Sequence, residues 1–237
     1  MRMLLIVALL PLAACQSNWE KKGEAAQASG SGATRTFAAT GFTGVELRGS
    51  DDVDVKTGAN FAVTAEGDTK VLDQLDIRVV NGTLRVARKD SKWFSNDRGA
   101  RVHVVMPRLT AAAVGGSGDL TVDRAEGDFG GAVSGSGNLT IADLRAGSAD
   151  LSVAGSGDMS VAGSASKLSA SIAGSGNIDA RRLTAANADV SIAGSGNVFG
   201  TVKGPASVSI VGSGDAELGG GAKCSVNAVG SGEARCS

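Results

Sequence analysis

Seven Gly-Ser-Gly tripeptides recur in the second half of the chain, centred on Ser117, Ser136, Ser156, Ser175, Ser195, Ser213 and Ser231. Two residues after each serine stands a polar side chain: Asp119, Asn138, Asp158, Asn177, Asn197, Asp215 and Glu233. Several chemistries could use such a series. A serine nucleophile needs a histidine and a carboxylate beside it. The chain has one histidine, His103, on an alternating strand, and nothing in the sequence places a serine next to it. A phosphate-binding loop needs a helix N-terminus behind its glycines and, in the Walker type, a Lys-Ser/Thr pair. Neither follows any of the seven tripeptides. A ridge that binds calcium or glycan is the remaining functional reading. Calcium-binding β-rolls repeat Gly-Gly-x-Gly-x-Asp about every nine residues, whereas here the period is near nineteen and three of the seven positions are Asn. Asx side chains also cap turns by bonding nearby backbone amides. The series is therefore read as turn chemistry, and no catalytic residue, metal or cofactor is expected.

The cysteines suggest different chemistry. Arg2 precedes an apolar run of eight residues, Met3 to Leu10. That is too short for a hydrocarbon core needing about 20 residues, and it reads as a secretion signal. Leu12-Ala13-Ala14-Cys15 resembles a bacterial lipobox. The resemblance implies cleavage before Cys15, so that residues 1–14 are signal peptide, with a diacylglyceryl thioether on the sulfur and acylation of the new amino group. Two or more acyl chains anchor stably, because each buried CH₂ contributes about 0.8 kcal/mol. Gln16 stands where an inner-membrane retention aspartate would sit. The outer membrane is therefore favoured, with the domain periplasmic or surface-facing. Residues 15–34 are expected to be the lipidated cysteine and a flexible tether, since 16–34 shows no apolar period and contains Ser29-Gly30-Ser31-Gly32. Cys224 lies seven residues before Ser231 and Cys236 five after it. Odd offsets turn both side chains inward within one coil, and a secreted chain can join them. The alternative is two free buried thiols.

One segment is electrically uneven. Arg85 to Arg108 carries seven Lys/Arg, including Arg88, Lys89 and Lys92, against Asp90 and Asp97. Trp93 and Phe94 lie within it, two of the chain's eight aromatics. As a loop, Arg88, Lys89, Lys92, Trp93 and Phe94 could contact an anionic glycan, lipopolysaccharide phosphates or an envelope protein. The competing reading has the aromatics plug the end of the fold while the charges are simply solvated.

The elements that position these residues follow from the repeat. Of 237 residues, 35 are glycine and three are proline, with no tyrosine and a net charge of −1. Scarce proline and glycine off any three-residue period exclude collagen. A hydrophobic fraction of 42% excludes a polar disordered chain. Balanced charge points to no nucleic-acid partner. The serines are spaced by 19, 20, 19, 20, 18 and 18 residues, and a fixed period over seven copies marks a solenoid. Three and five residues before and after each serine the side chains are apolar or small, as in Leu151, Val153, Met159 and Val161 around Ser156. Alternation on both sides means strand, turn, strand. Each coil is expected to be two short strands joined by a tight corner and closed by a looser return loop. The fold class is an all-β parallel solenoid, with 111–237 its regular part. Residues 35–110 read as an irregular β-rich cap. It contains a worn corner at Ser50, a helical turn within Asp68–Leu75, a hairpin about Asn81-Gly82 and a strand Arg101–Met106.

Arg35-Thr-Phe37, Gly41-Phe42-Thr-Gly44-Val45, Asn81-Gly82-Thr83-Leu84, Val104-Val105-Met106-Pro107-Arg-Leu109 and the Gly-Ser-Gly-(Asp/Asn) series together resemble the bacterial "putative auto-transporter adhesin, head GIN domain" family. The resemblance implies a right-handed β-helix like the pectin-lyase folds, without their catalytic residues, and a role in adhesion. It brings no functional residues. The expected function is a non-enzymatic envelope lipoprotein acting as an adhesion or binding module. The alternatives are a structural spacer that self-assembles into homo-oligomers and a β-helix polysaccharide-active enzyme. The last would need converging carboxylates, whereas Asp123, Asp143, Asp150, Asp179 and Asp189 sit at differing offsets.

Overall fold

The computed structural model describes residues 23–89 and 99–237. Its regular part is a parallel β-solenoid. Before each corner run β10 (Ala111–Gly116), β13 (Phe129–Gly135) and the ends of β14 (Leu139–Gly155), β15 (Met159–Gly174) and β16 (Ile178–Gly194). These stack in register, Val114 on Val133, Val133 on Val153, Val153 on Ile172 and Ile172 on Ile192. After each corner, β11 (Leu120–Val122) and the beginnings of β14, β15 and β16 stack likewise, Leu120 on Leu139 on Met159 on Ile178. The alternation works as expected. Odd offsets from each serine point inward, and Leu151, Val153, Met159 and Val161 are all buried.

The return segment differs from the expected loose loop. Arg145–Ser164 and Ala146–Ala165 pair within β14 and β15, and Ser164–Thr184 and Ala165–Ala185 within β15 and β16. β12 (Ala125–Glu126) starts this third wall on Leu144 and Arg145. Leu144, Leu168 and Leu183 are completely buried. The coil therefore has three hydrogen-bonded walls. Irregular steps between the second and third, at Ile141/Leu144 and Ser160/Ala162, break the period-2 signal that would have announced the third.

Later coils continue through β17 (Val198–Val202), β18 (Pro205–Gly212), β19 (Ala216–Gly219), β20 (Lys223–Gly230) and β21 (Ala234–Cys236). Cys224 and Cys236 are disulfide-bonded, with their Cα atoms 6.3 Å apart. The bond closes the last described coil, whose Val226 is still 48% exposed. Replacing both cysteines by serine is expected to cost about 3 kcal/mol, the chain entropy of a loop of about a dozen residues. The check is the denaturant midpoint, with amide exchange rising first in β20 and β21.

At the other end the chain doubles under itself. β4 (Gly44–Gly49) and β5 (Asp52–Thr57) form a coil that pairs upward with β10 and β11. Downward it pairs in parallel with β8 (Thr83–Arg88) and β9 (Arg101–Met106), which come later in the sequence. Antiparallel strands then cover this lower layer. β9 takes β6 (Ala62–Glu66), β3 (Thr34–Ala38) and β2 (Gln27–Ser29), while β8 takes β7 (Leu75–Val80) and β1 (Glu24–Ala25). α1 (Thr69–Gln74) buries Val71 and Leu72, and the Asp68 carboxylate accepts from the Lys70 N–H at its start. The β7–β8 turn has positive φ at Asn81 (50°) and Gly82 (76°), as its type requires. Residues 24–29, expected within a flexible 15–34 tether, are instead largely paired as strands of the cap. The strand Gln27–Ser29 has every side chain exposed, so no apolar period records it.

Candidate functional site

The corners carry the polar series. In each, the first glycine has strongly positive φ, 128° at Gly155 and 136° at Gly174. Its carbonyl accepts the N–H groups of the serine and the second glycine of the next coil, as Gly155 does from Ser175 and Gly176 at 2.8 and 3.0 Å. The Asx side chains then run as a second ladder outside the backbone. Asp158 Oδ1 accepts from Asn177 N and Nδ2, both at 2.9 Å. Asn177 Oδ1 accepts from Asn197 N and Nδ2 at 3.1 and 2.9 Å. Similar bonds extend the series from Asp52 to Glu233. The expectation of local turn caps needs one change: each side chain caps the amide of the following coil. Removing a central rung, Asn177→Leu, is expected to cost about 1–2 kcal/mol by orphaning the Asn197 N–H, read as a lowered unfolding midpoint.

Four residues after each corner serine the side chain points outward, forming a column that sequence reading did not single out. Thr121, Thr140, Ser160, Asp179 and Phe199 follow one another in register. This column and the Asx ladder wall an open groove of about 690 Å³ running from Asp119 and Thr121 to Asn197 and Phe199. At its far end Arg181 binds Asp179 through two hydrogen bonds, 2.9 and 2.8 Å. The Arg181 guanidinium carbon also lies 4.6 Å from the centre of the Phe199 ring. The hydrogen bond from Arg181 holds the Asp179 carboxyl below its ordinary pKa, outweighing its partial burial. Below the groove the column continues to Asp54 and His103, whose Oδ2 and Nδ1 are 3.3 Å apart.

The family profile described as "Putative auto-transporter adhesin, head GIN domain" matches residues 41–222. The chain belongs to this family. Its coils also superpose on solved structures. A "putative adhesin" from Bacteroides fragilis is 19% identical with a TM-score of 0.81, covering 86% of this chain and 96% of that one. A "putative adhesin" from Parabacteroides merdae is 19% identical with a TM-score of 0.70, covering 86% and 95%. A "putative lipid binding protein" from Parabacteroides distasonis is 24% identical with a TM-score of 0.67, covering 86% and 96%. At these identities the likeness is one of fold. Comparison with curated proteins gives no match.

In this head GIN domain the candidates from the basic segment separate. Arg88 is committed to the interior: its Nε and Nη2 donate to Asp51 at 2.9 and 2.6 Å, and Asp51 is completely buried. Asp51 Oδ1 also accepts the Ala100 N–H at 2.8 Å. Lys89 donates its Nζ to the Asp73 carbonyl at 2.7 Å at the end of α1. Lys92, Trp93 and Phe94 lie outside the described residues, as does Cys15. Arg85, from the same segment, joins Arg48 on Glu46. Burial alone would raise the Glu46 carboxyl, but hydrogen bonds from Arg85 and Arg48 outweigh it and leave its pKa lowered. Among the acids weighed for catalysis, Asp143 pairs with Arg124 and Arg145, Asp189 with Lys167, and Asp123 accepts the Thr57 N–H.

Proposed function

We propose that this chain is a non-enzymatic outer-membrane lipoprotein whose solenoid faces outward and serves as an adhesion and binding module. The observation that carries the reading is the long polar groove on an exposed edge. It is lined by side-chain hydroxyls, amides and carboxylates, with Arg181 and Phe199 at one end, while the interior is packed with Val, Ile, Leu and Ala. Family membership and the adhesin-like relatives agree with a place in the cell envelope. Cys15 supplies the anchor, so Cys15→Ser is expected to move the chain from the membrane to the soluble fraction. Lys92, Trp93 and Phe94 provide a second contact, for an anionic glycan, lipopolysaccharide or an envelope protein. The test is retention: the full chain on beads should hold back envelope polymers or host glycans. Failure on every envelope fraction and glycan tried would overturn the reading.

A second reading, the self-assembling spacer, is favoured by the last described coil. Among the described residues β20 and β21 pair on one side only, and Val226 and Val229 are exposed there. Light scattering distinguishes it, since a spacer forms oligomers and retains no glycan.

A further inference from the structure

The geometry points to the groove between the Asx ladder and the Thr121–Phe199 column as a binding site for a linear, uncharged glycan. The inference rests on the binding-module reading above and names its ligand class. Backbone groups along the groove are spent on coil-to-coil pairing, Leu139 on Met159 and Met159 on Ile178. An extended peptide therefore finds no strand edge there to join. What the groove offers is side-chain chemistry repeated once per coil, about every 4.8 Å, a rise close to the length of one sugar ring. The hydroxyls of Thr140 and Ser160 both donate and accept. Asp158 accepts the neighbouring ladder bonds through Oδ1, which leaves Oδ2 for a sugar hydroxyl. Phe199 is half-buried at the groove's end with the Arg181 guanidinium over its ring, and the stacked pair gives a platform of the kind that packs against the C–H face of a pyranose. Charge selects against acidic polymers. Arg181 is matched by Asp179, and Arg182, whose Nη2 donates to the Ser160 hydroxyl at 3.3 Å, offsets only one of Asp119 and Asp158, so the groove keeps a net negative charge that disfavours an anionic chain.

The experiment is calorimetric titration of the full chain, in detergent, with neutral β-linked glucose oligosaccharides of increasing length and with polygalacturonate. Affinity should rise at least tenfold from a disaccharide to a chain long enough to cross the coils between Thr121 and Phe199. Phe199→Ala and Thr140→Val should each weaken binding tenfold or more while leaving the circular dichroism unchanged, with Thr140→Val also leaving the melting temperature unchanged. Ser209→Ala, on another wall, should change nothing. Asp158→Asn keeps the ladder acceptor and should weaken neutral-glycan binding less than Phe199→Ala does. Neutral-glycan binding insensitive to Phe199→Ala and Thr140→Val would overturn the assignment of the groove. So would binding of polygalacturonate alone, lost in Lys92→Ala, although the binding-module reading would then survive. No retention of any polymer or envelope fraction would overturn both.

Discussion

Gly176→Ala is expected to destabilise the solenoid by at least about 3 kcal/mol, at the upper end of overpacking penalties. A Cβ at this position would lie 2.0 Å from the Gly157 carbonyl oxygen and 2.8 Å from Val153 Cγ1. Neither obstacle can yield easily. The carbonyl belongs to the corner of the coil beneath, and the valine methyl is packed in the core. Relief requires the two coils to move apart, which breaks the bonds from Ser175 and Gly176 to the Gly155 carbonyl. Gly130→Ala is the matched control, because its added Cβ would meet nothing within 4 Å. The control is expected to be neutral or to gain some tenths of a kcal/mol by restricting the unfolded chain. Urea midpoints of both variants check the pair, and equal destabilisation would contradict the account of the corners.

Asp51→Ala is the second large effect, an expected loss of about 3–5 kcal/mol, as when one partner of a buried ion pair is removed. The reason lies in the corner at Ser50. Every later corner has glycine as its third residue, because a stacked corner lies beneath it; Gly118, for example, sits directly over Asp51. The Ser50 corner rests instead on the layer of β8 and β9, where no Gly-Ser-Gly occurs. The third position can therefore carry a side chain, and Asp51 uses the space to bind Arg88 and the Ala100 N–H. Asp51→Ala would remove two bonds from the Arg88 guanidinium and the acceptor of the Ala100 N–H. Amide exchange should accelerate first at Ala100 and in β8 and β9, with the later coils holding longer. Uniform acceleration across all coils would show instead that the pair is not the local clamp described.

How far the sequence revealed this molecule depended on whether a feature is local. The corners, the inward alternation and the Asn81-Gly82 turn are set by neighbouring residues, and each is legible. The same alternation points Cys224 and Cys236 inward in one coil, and the structure joins them. The third wall was hidden because the register steps break the odd-offset alternation: Leu144 and Leu183 each stand eight residues after a corner serine, while Gly163, which pairs with both, stands seven after. The order of the lowest coils was hidden too, since nothing within β4 or β8 records that they lie side by side. Arg88 read as a surface cation because its partner stands 37 residues away. The groove was within reach: four positions after each corner serine stand Thr121, Thr140, Ser160, Asp179 and Phe199. That column lacks an apolar pattern, so a search for core residues passes over it.

An adhesion module must present its solenoid outside the cell, and labelling tests that claim most directly. Ser171→Cys places a thiol on an exposed wall position, while Cys224 and Cys236 are joined to each other and Cys15 is expected to carry lipid. A membrane-impermeant maleimide is then applied to intact cells and to lysed cells. The account predicts equal labelling of Ser171→Cys in both. Labelling only after lysis would place the solenoid inside the envelope and contradict an outward adhesive role.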